Sequence, residues 1–374
     1  MLKSIYIKNY KNIKEIEIPN IKRVNLVWGM NNIGKSSLLE AISVYASGKI
    51  DNLFEILNIR GEDVSAFRRS EGISVEDEIR SFLPLVYNYQ LDLLKTDGII
   101  IGENQKNALV VRLVKRCRIP VLRGDVDSSS EYTMKTIMYD VTESSNVGEC
   151  VPAIEFRIPG EKFYNIIEFD GGGIRLPRYA ITDSNRIPYK YVSCKFSKLN
   201  DIDSLWSKIS MTEYEHYVIN ALRIIEPKII RFNVLTESMS TYRPEPIPYV
   251  LLEGGGTKKR LSAMGDGINR VLMIILALIN CKDGVFLLDE FENGLHFSVQ
   301  ERLWEIIFDL AEKLNIQVFV TTHSNDCIDC FSKVAFAKSG LAIRLEQSRG
   351  EIYCQQYSDM EDLRFAVREG IELR

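Results

Sequence analysis

The stretch VWGMNNIGKSSLLEAI, Val27 to Ile42, decides how this chain folds. A continuous apolar segment, Val24–Trp28, has the look of a buried strand and stops at Gly29. Met30-Asn31-Asn32-Ile33 form a loop, and Gly34-Lys35-Ser36-Ser37 open a segment with helical spacing, Ser36–Tyr45. The pattern G-x-x-x-x-G-K-[ST] between a strand and a helix is a phosphate cradle. The backbone N–H groups of the loop and the helix N-terminus can surround an anion. Gly29, Asn31, Asn32, Ile33, Gly34, Lys35, Ser36 and Ser37 are therefore the candidate nucleotide-binding residues. Gly34 permits close backbone approach, Lys35 reaches the β- and γ-phosphates, and Ser36 places a hydroxyl on Mg²⁺.

The rest of such a site lies far along the chain. In GVFLLDEFENGLH, Gly284–His296, an apolar strand Val285–Leu288 ends in Asp289-Glu290. A carboxylate at the end of a strand beside the cradle can hold Mg²⁺, the role assigned to Asp289. Glu290 can act as general base on the attacking water. In NIQVFVTTHSNDCI a second apolar strand, Val318–Thr321, ends in Thr322-His323-Ser324. The chain has only three histidines, and His323 stands where it can hydrogen-bond a γ-phosphate. Between the two halves, a turn from Ser262 to Gly267 opens a long apolar helix. Its N-terminus, with Ser262, Gly265, Asp266 and Gly267, suits a second phosphate contact. An ordinary helix cap by Ser262 or Asp266 is the alternative.

In this order the motifs resemble an ABC-class ATPase head of the kind shared by structural-maintenance-of-chromosomes (SMC) proteins, RecF and the OLD family. The resemblance is closer to compact "AAA ATPase-like" proteins of bacteria and archaea, through Gly29–Ser37, Met264–Gly267, Asp289–His296 and Thr321–Ser324. The ending EGIELR, Glu369–Arg374, is similar too, which implies a complete protein. The resemblance implies an α/β P-loop fold: a mixed β-sheet core flanked by helices, an antiparallel β-rich N-terminal lobe and a helical insertion. It implies ATP and Mg²⁺ as cofactors. Ser262–Gly267 would be a signature segment acting in trans, Glu292–His296 a loop at a dimer interface, and His323 a switch histidine. The signature reads LSAMGDG rather than LSGGQ, and no Q-loop glutamine can be placed between Leu53 and Ser70. Partners implied are a second copy, as a dimer or an oligomer built from dimers, and a separate effector such as a nuclease or toxin in anti-phage defence. A DNA-binding, RecF-like repair ATPase is the competing reading. A transporter subunit fits less well with this signature and insertion.

The middle of the chain reads differently. Segments such as NALVVRLVKRCRIPV and AIEFRIP alternate apolar and polar residues between Gly, Pro and Ser, the pattern of antiparallel strands. KSIYIKNY and IKEIEIP near the N-terminus read the same way. Ile202–Pro227 is helical in spacing, and the proline-rich Tyr242–Val250 reads as a crossing back to the core. The expected division is 1–60, 61–245 and 246–374, with the ATPase core contributed by the first and last. Arg112, Lys115, Arg116 and Arg118 cluster on one segment, either a solvated strand face or a DNA-facing patch.

Bulk properties bound these readings. The 374 residues are 45% hydrophobic and 26% charged, a globular profile. A net charge of −4 excludes a globally basic nucleic-acid coat. Apolar runs such as Val271–Ile279 are too short to span a bilayer, and the start lacks a signal-peptide core, so no membrane partner and a cytoplasmic location are expected. Seven scattered cysteines suit a reducing compartment. Cys327 and Cys330 form a CxxC, without the second ligand pair that a zinc site needs.

Overall fold

The computed structural model describes residues 1–59, 61, 74–122, 132–140, 149–161, 165–171, 186–193, 199–237 and 245–368. The C-terminal EGIELR motif and most of Leu53–Ser70, where a Q-loop would fall, lie outside them. The chain begins with a hairpin, β1 (Ile5–Tyr10) and β2 (Ile13–Ile18). Strand β3 (Val24–Trp28) leads through the phosphate loop into α1 (Lys35–Ser47), then α2 (Asp51–Ile59). Short helices α3 (Val75–Arg80) and α4 (Leu91–Lys95) precede β4 (Ile99–Gly102), β5 (Ala108–Leu122), β6 (Tyr132–Asp140), β7 (Glu149–Arg157) and β8 (Asn165–Glu168). Next come β9 (Tyr189–Val192), α5 (Leu199–Trp206), α6 (Glu215–Leu222), β10 (Ile229–Glu237), β11 (Glu245–Leu252) and β12 (Lys258–Arg260). The last third alternates: α7 (Asp266–Ile279), β13 (Val285–Leu288), α8 (Phe297–Lys313), β14 (Gln317–Thr322), α9 (Asn325–Lys338), β15 (Leu341–Ser348), β16 (Glu351–Tyr357) and α10 (Met360–Arg368).

The core sheet has the order β16-β15-β3-β14-β13-β9, parallel except for β16. Its inner strands are apolar at nearly every position because both faces are covered. Alternate residues point to opposite sides. Leu26, Phe286, Val318 and Val320 pack with α7, α8 and α9. Val27, Leu287, Phe319 and Ile343 pack with α1, α2 and the second sheet. That second sheet is antiparallel, with the order β2-β1-β4-β5-β7-β8 and β6 also on β5. The α/β core and the antiparallel lobe both match what the sequence pattern implied.

The segmentation is different from the one expected. Strands β1 and β2 belong to the antiparallel lobe, although β3 and α1 directly after them build the core. Strand β9, inside the 61–245 stretch, closes the edge of the core sheet beside β13. The proline-rich segment is not a crossing: Glu245–Leu252 is the middle strand of a small antiparallel sheet, β10-β11-β12. It tolerates Pro246 and Pro248 because β12 pairs only with Tyr249, Val250 and Leu251, so at the prolines the outer edge carries no ladder. The helical part is not set apart either, since Leu205 and Trp206 of α5 and Val218 and Leu222 of α6 join the core beside α7.

Two cross-strand features of the lobe bear on further expectations. Cys117 on β5 and Cys150 on β7 face each other in register and form a disulfide, where the scattered cysteines suggested none. The basic cluster on β5 is partly neutralised across the strands. Arg112 pairs with Glu155 and Asp140, and Arg116 with Glu168. Among the described residues no helix is long and apolar enough to cross a membrane.

An aromatic stack fixes α8 and α9 behind the end of β13. Trp304 of α8 stacks on Phe291, with ring centroids 4.4 Å apart, and meets Phe331 of α9 edge-on at 5.0 Å. All three are fully buried. Trp304→Ala is predicted to cost about 3–5 kcal/mol of stability through lost contacts and a residual cavity. A fall in the denaturant midpoint with an unchanged slope measures it, and a loss below about 1 kcal/mol would show that the stack is not a structural anchor.

Candidate functional site

The candidate site forms where β3, β14 and β13 end together. Parallel register sets Trp28 beside Thr322, and Leu288 beside Val320, so the loops after all three strands leave from one edge of the sheet. That edge, at the carboxyl ends of parallel strands, is where α/β folds bind ligands. The chain turns sharply at Gly29, whose φ is 149°. A Cβ there would lie 2.5 Å from the carbonyl oxygen of Leu345 on β15, so only glycine lets the phosphate loop pass so close to the next strand. Asn12, in the β1–β2 turn, donates its side-chain amide to the Asn32 carbonyl at 3.0 Å and so ties the lobe to the loop.

Lys35 is buried and folds back over its own loop. Its Nζ donates to the Gly29 and Met30 carbonyls at 2.8 and 2.9 Å. Burial lowers its pKa, an effect that the nearby carboxylates of Glu292, Asp289 and Glu290 oppose. The amine is thus held against the carbonyls of its own loop. Ser36 Oγ donates to Asp289 Oδ2 at 2.8 Å, which joins the two distant halves of the sequence. Thr321 Oγ1 donates to Asp289 Oδ1 at 2.5 Å and accepts the Glu290 N–H at 2.9 Å. Glu290 itself has φ +52°, in the left-handed region that side chains rarely adopt.

His323 is oriented from behind by Glu292. Its Nδ1 lies 2.7 Å from Glu292 Oε1, and its backbone N–H donates to the same oxygen at 2.9 Å. Thr322 Oγ1 donates to the other carboxylate oxygen at 2.7 Å. His323 itself lines the cleft described next.

A cleft of about 770 Å³ gathers these groups. Asn31, Asn32, Gly34, Lys35, Ser36, Ser37, Asp289, Glu290 and His323 line it, whereas Gly29 and Ile33 do not. Its other wall is Lys11, Asn12, Ile56, Leu57, Pro84, Val86, Asn88 and Tyr89. Ser262, Gly265, Asp266 and Gly267 do not line it. They open α7, with Ser262, Gly265 and Asp266 exposed and no side chain capping the helix, so neither Ser262 nor Asp266 acts as a cap. Sequence reasoning missed the holding roles of Thr321 and Glu292 and the whole of the other wall. The first two lie within the quoted motifs, whereas nothing in the local sequence marks the wall.

Comparison with known proteins bears on this arrangement. Residues 1–159 match the family model of an AAA ATPase domain. Residues 229–329 match that of an AAA domain, putative AbiEii toxin, Type IV TA system. The two matches fall on the two halves that Ser36 and Asp289 join. An ATP/GTP phosphatase of Helicobacter pylori (strain ATCC 700392 / 26695) is 27% identical over 349 residues, covering 89% of this chain and 88% of that protein. Both halves of the chain thus match ATPase domains of the AAA type. Over 102 residues the protein is also 42% identical to the DNA replication and repair protein RecF of Cellvibrio japonicus (strain Ueda107), covering 27% of the chain and 28% of RecF. Its fold is similar to a solved SMC head bound to the C-winged helix domain of ScpA. The identity is 16% and the TM-score 0.49, covering 97% of this chain and 99% of that one.

Lys35→Ala is predicted to weaken nucleotide binding by about 10- to 100-fold, the loss of one or two charge-assisted contacts. Titration calorimetry with ATP checks this, and unchanged affinity would remove Lys35 from the site. Because burial lowers the pKa of Lys35, affinity in the wild type should begin to fall on the alkaline side at a pH below the ordinary lysine value of about 10.4.

Proposed function

We propose that this protein hydrolyses Mg·ATP in a site that a second copy of the chain completes, and that the resulting cycle controls a separate effector protein in anti-phage defence. The observation that carries the composite site is the division of the motifs. The cleft assembles the cradle, Asp289, Glu290 and His323, while the exposed start of α7, which no side chain caps, lies outside its lining.

The chemistry follows from the residues in place. The apolar wall formed by Ile56, Leu57, Pro84, Val86 and Tyr89 accepts the nucleobase, and the cradle takes the phosphates. Lys35 exchanges its loop carbonyls for phosphate oxygens. Ser36 Oγ and Asp289 Oδ2 are hard oxygen donors 2.8 Å apart, a donor set that fits Mg²⁺, an ion that keeps one or two protein ligands and takes the rest from phosphates and water. Bound there, it neutralises phosphate charge. Glu290 takes a proton from water as the water oxygen bonds to the γ-phosphorus. The bond to the β,γ-bridging oxygen breaks, and ADP and phosphate leave. His323, held by Glu292 through Nδ1, donates Nε2–H to the γ-phosphoryl oxygens in its doubly protonated, imidazolium form.

The effector part of the reading is supported by the description of the matched family model, a putative toxin of a type IV system. The second reading, a RecF-like DNA clamp, is supported by the RecF matches. The pairing of Arg112 and Arg116 with carboxylates reduces the basic surface available on β5. DNA affinity that falls steeply with salt would favour that reading.

A mixing experiment tests the composite site. Ser262→Arg chains and Glu290→Gln chains should each bind ATP and each hydrolyse it poorly, with the base variant slowed about 10²–10⁴-fold. Mixed dimers contain one site with an intact cradle, Glu290 and signature, so up to half of the wild-type rate should return at saturating Mg·ATP. No rescue, with subunit exchange shown by tag pull-down, would refute trans action.

A further inference from the structure

We infer that Arg270 is a positioning residue for hydrolysis: it clamps the ends of two core strands to the signature helix and so sets the backbone of Glu290. The inference rests on the reading of Glu290 as general base. Arg270 is the fifth residue of α7 and is only 6% exposed. An arginine is rarely buried without a specific set of acceptors. Here those acceptors are main-chain carbonyls at the rim of the core sheet. Nη1 donates to the Ser193 carbonyl at 3.0 Å, one residue beyond β9. Nη2 donates to the Asp289 carbonyl at 2.9 Å and the Glu290 carbonyl at 3.1 Å, directly beyond β13. One planar fork thus spans two adjacent strand ends.

The clamp acts where the backbone is least comfortable. Glu290 is in the left-handed region, and its N–H is held by Thr321 Oγ1 while its carbonyl is held by Arg270. Both sides of the residue are therefore pinned, which keeps a strained conformation from relaxing. The other end of the clamp is the start of α7. A Cβ added to Gly267 would lie 3.0 Å from the Gly294 carbonyl oxygen, so the first turn of α7 sits tightly on the loop after Glu290. A shift of this helix end, caused by anything that docks on Ser262–Gly267, is passed by Arg270 to the carbonyl of the catalytic residue. Arg270 does not line the cleft. It acts through Glu290 and not on the nucleotide.

The test uses Arg270→Lys and Arg270→Gln in the full chain, alone and combined with Glu290→Gln. Lysine keeps the charge but has a single nitrogen, which cannot serve both strand ends with the geometry of a fork. The rate at saturating Mg·ATP should fall about tenfold or more in Arg270→Lys and further in Arg270→Gln, since small displacements of a catalytic group are costly. The Kd for a fluorescent ATP analogue should stay within about twofold in both, because the cradle is untouched. On the Glu290→Gln background neither change should slow the residual rate further, the signature of a residue that acts through Glu290. An additive loss, an equal loss of rate and affinity, an unchanged rate, or failure of both variants to fold would each overturn the inference. If Glu290→Gln alone turned over normally, the base assignment would fail and take this inference with it. If Glu290→Gln is slow and the Arg270 variants are not, only the present inference fails.

Discussion

The parallel pairing of β14 with β3 on one side and β13 on the other is the constraint on which the site depends. The phosphate loop, the Asp289-Glu290 pair and His323 come from segments hundreds of residues apart in part, yet they leave one sheet edge at a common level. The hydrogen bond from Ser36 to Asp289 is a result of that register. A slip of one residue in either pairing would turn the buried faces outward and separate the hydroxyl from its carboxylate. The energy that prevents this comes from the two apolar clusters on the faces of the sheet, not from the polar contacts at its rim.

The rim is a network of fixed polar groups on top of that frame. Each catalytic candidate is held by a neighbour that never enters the chemistry: Thr321 for Asp289 and Glu290, Glu292 for His323, and Asn12 for the phosphate loop. Such support lets side chains meet a ligand with little reorganisation. It also explains why the loop from Glu290 to His296 is short and rich in polar groups, since it must turn from a buried strand to a helix while its second carboxylate reaches β14.

Much of this was legible in the sequence, for a physical reason. Strand β3, β13 and β14 are continuous apolar runs because they are buried on both faces, and the turns that end them carry residues chosen for chemistry. The two expected strands at the N-terminus are there as well, but as part of the lobe, because an alternating pattern identifies a strand and not the sheet that it joins. Pro246 and Pro248 misled for a local reason: proline argues against a strand only where both edges are paired, and here one edge is partly bare. The Cys117–Cys150 pair shows the same limit, since cross-strand register decides it and cysteine spacing does not. The apolar wall of the cleft draws on α2 and on the stretch from Pro84 to Tyr89, two places that no periodicity connects.

The placement of β3 has a consequence for how the molecule comes into being. As the chain leaves the ribosome, the phosphate loop is made well before the strands that flank β3, which are β14 and β15. Contacts with such large sequence separation form slowly, because the intervening chain must first lose its freedom. The nascent protein therefore carries an apolar strand and an open glycine turn without partners through most of its synthesis. The cradle and the Asp289-Glu290 pair meet only once β14 has been placed between their strands. The same geometry makes the early chain a client for whatever shields apolar strands during translation.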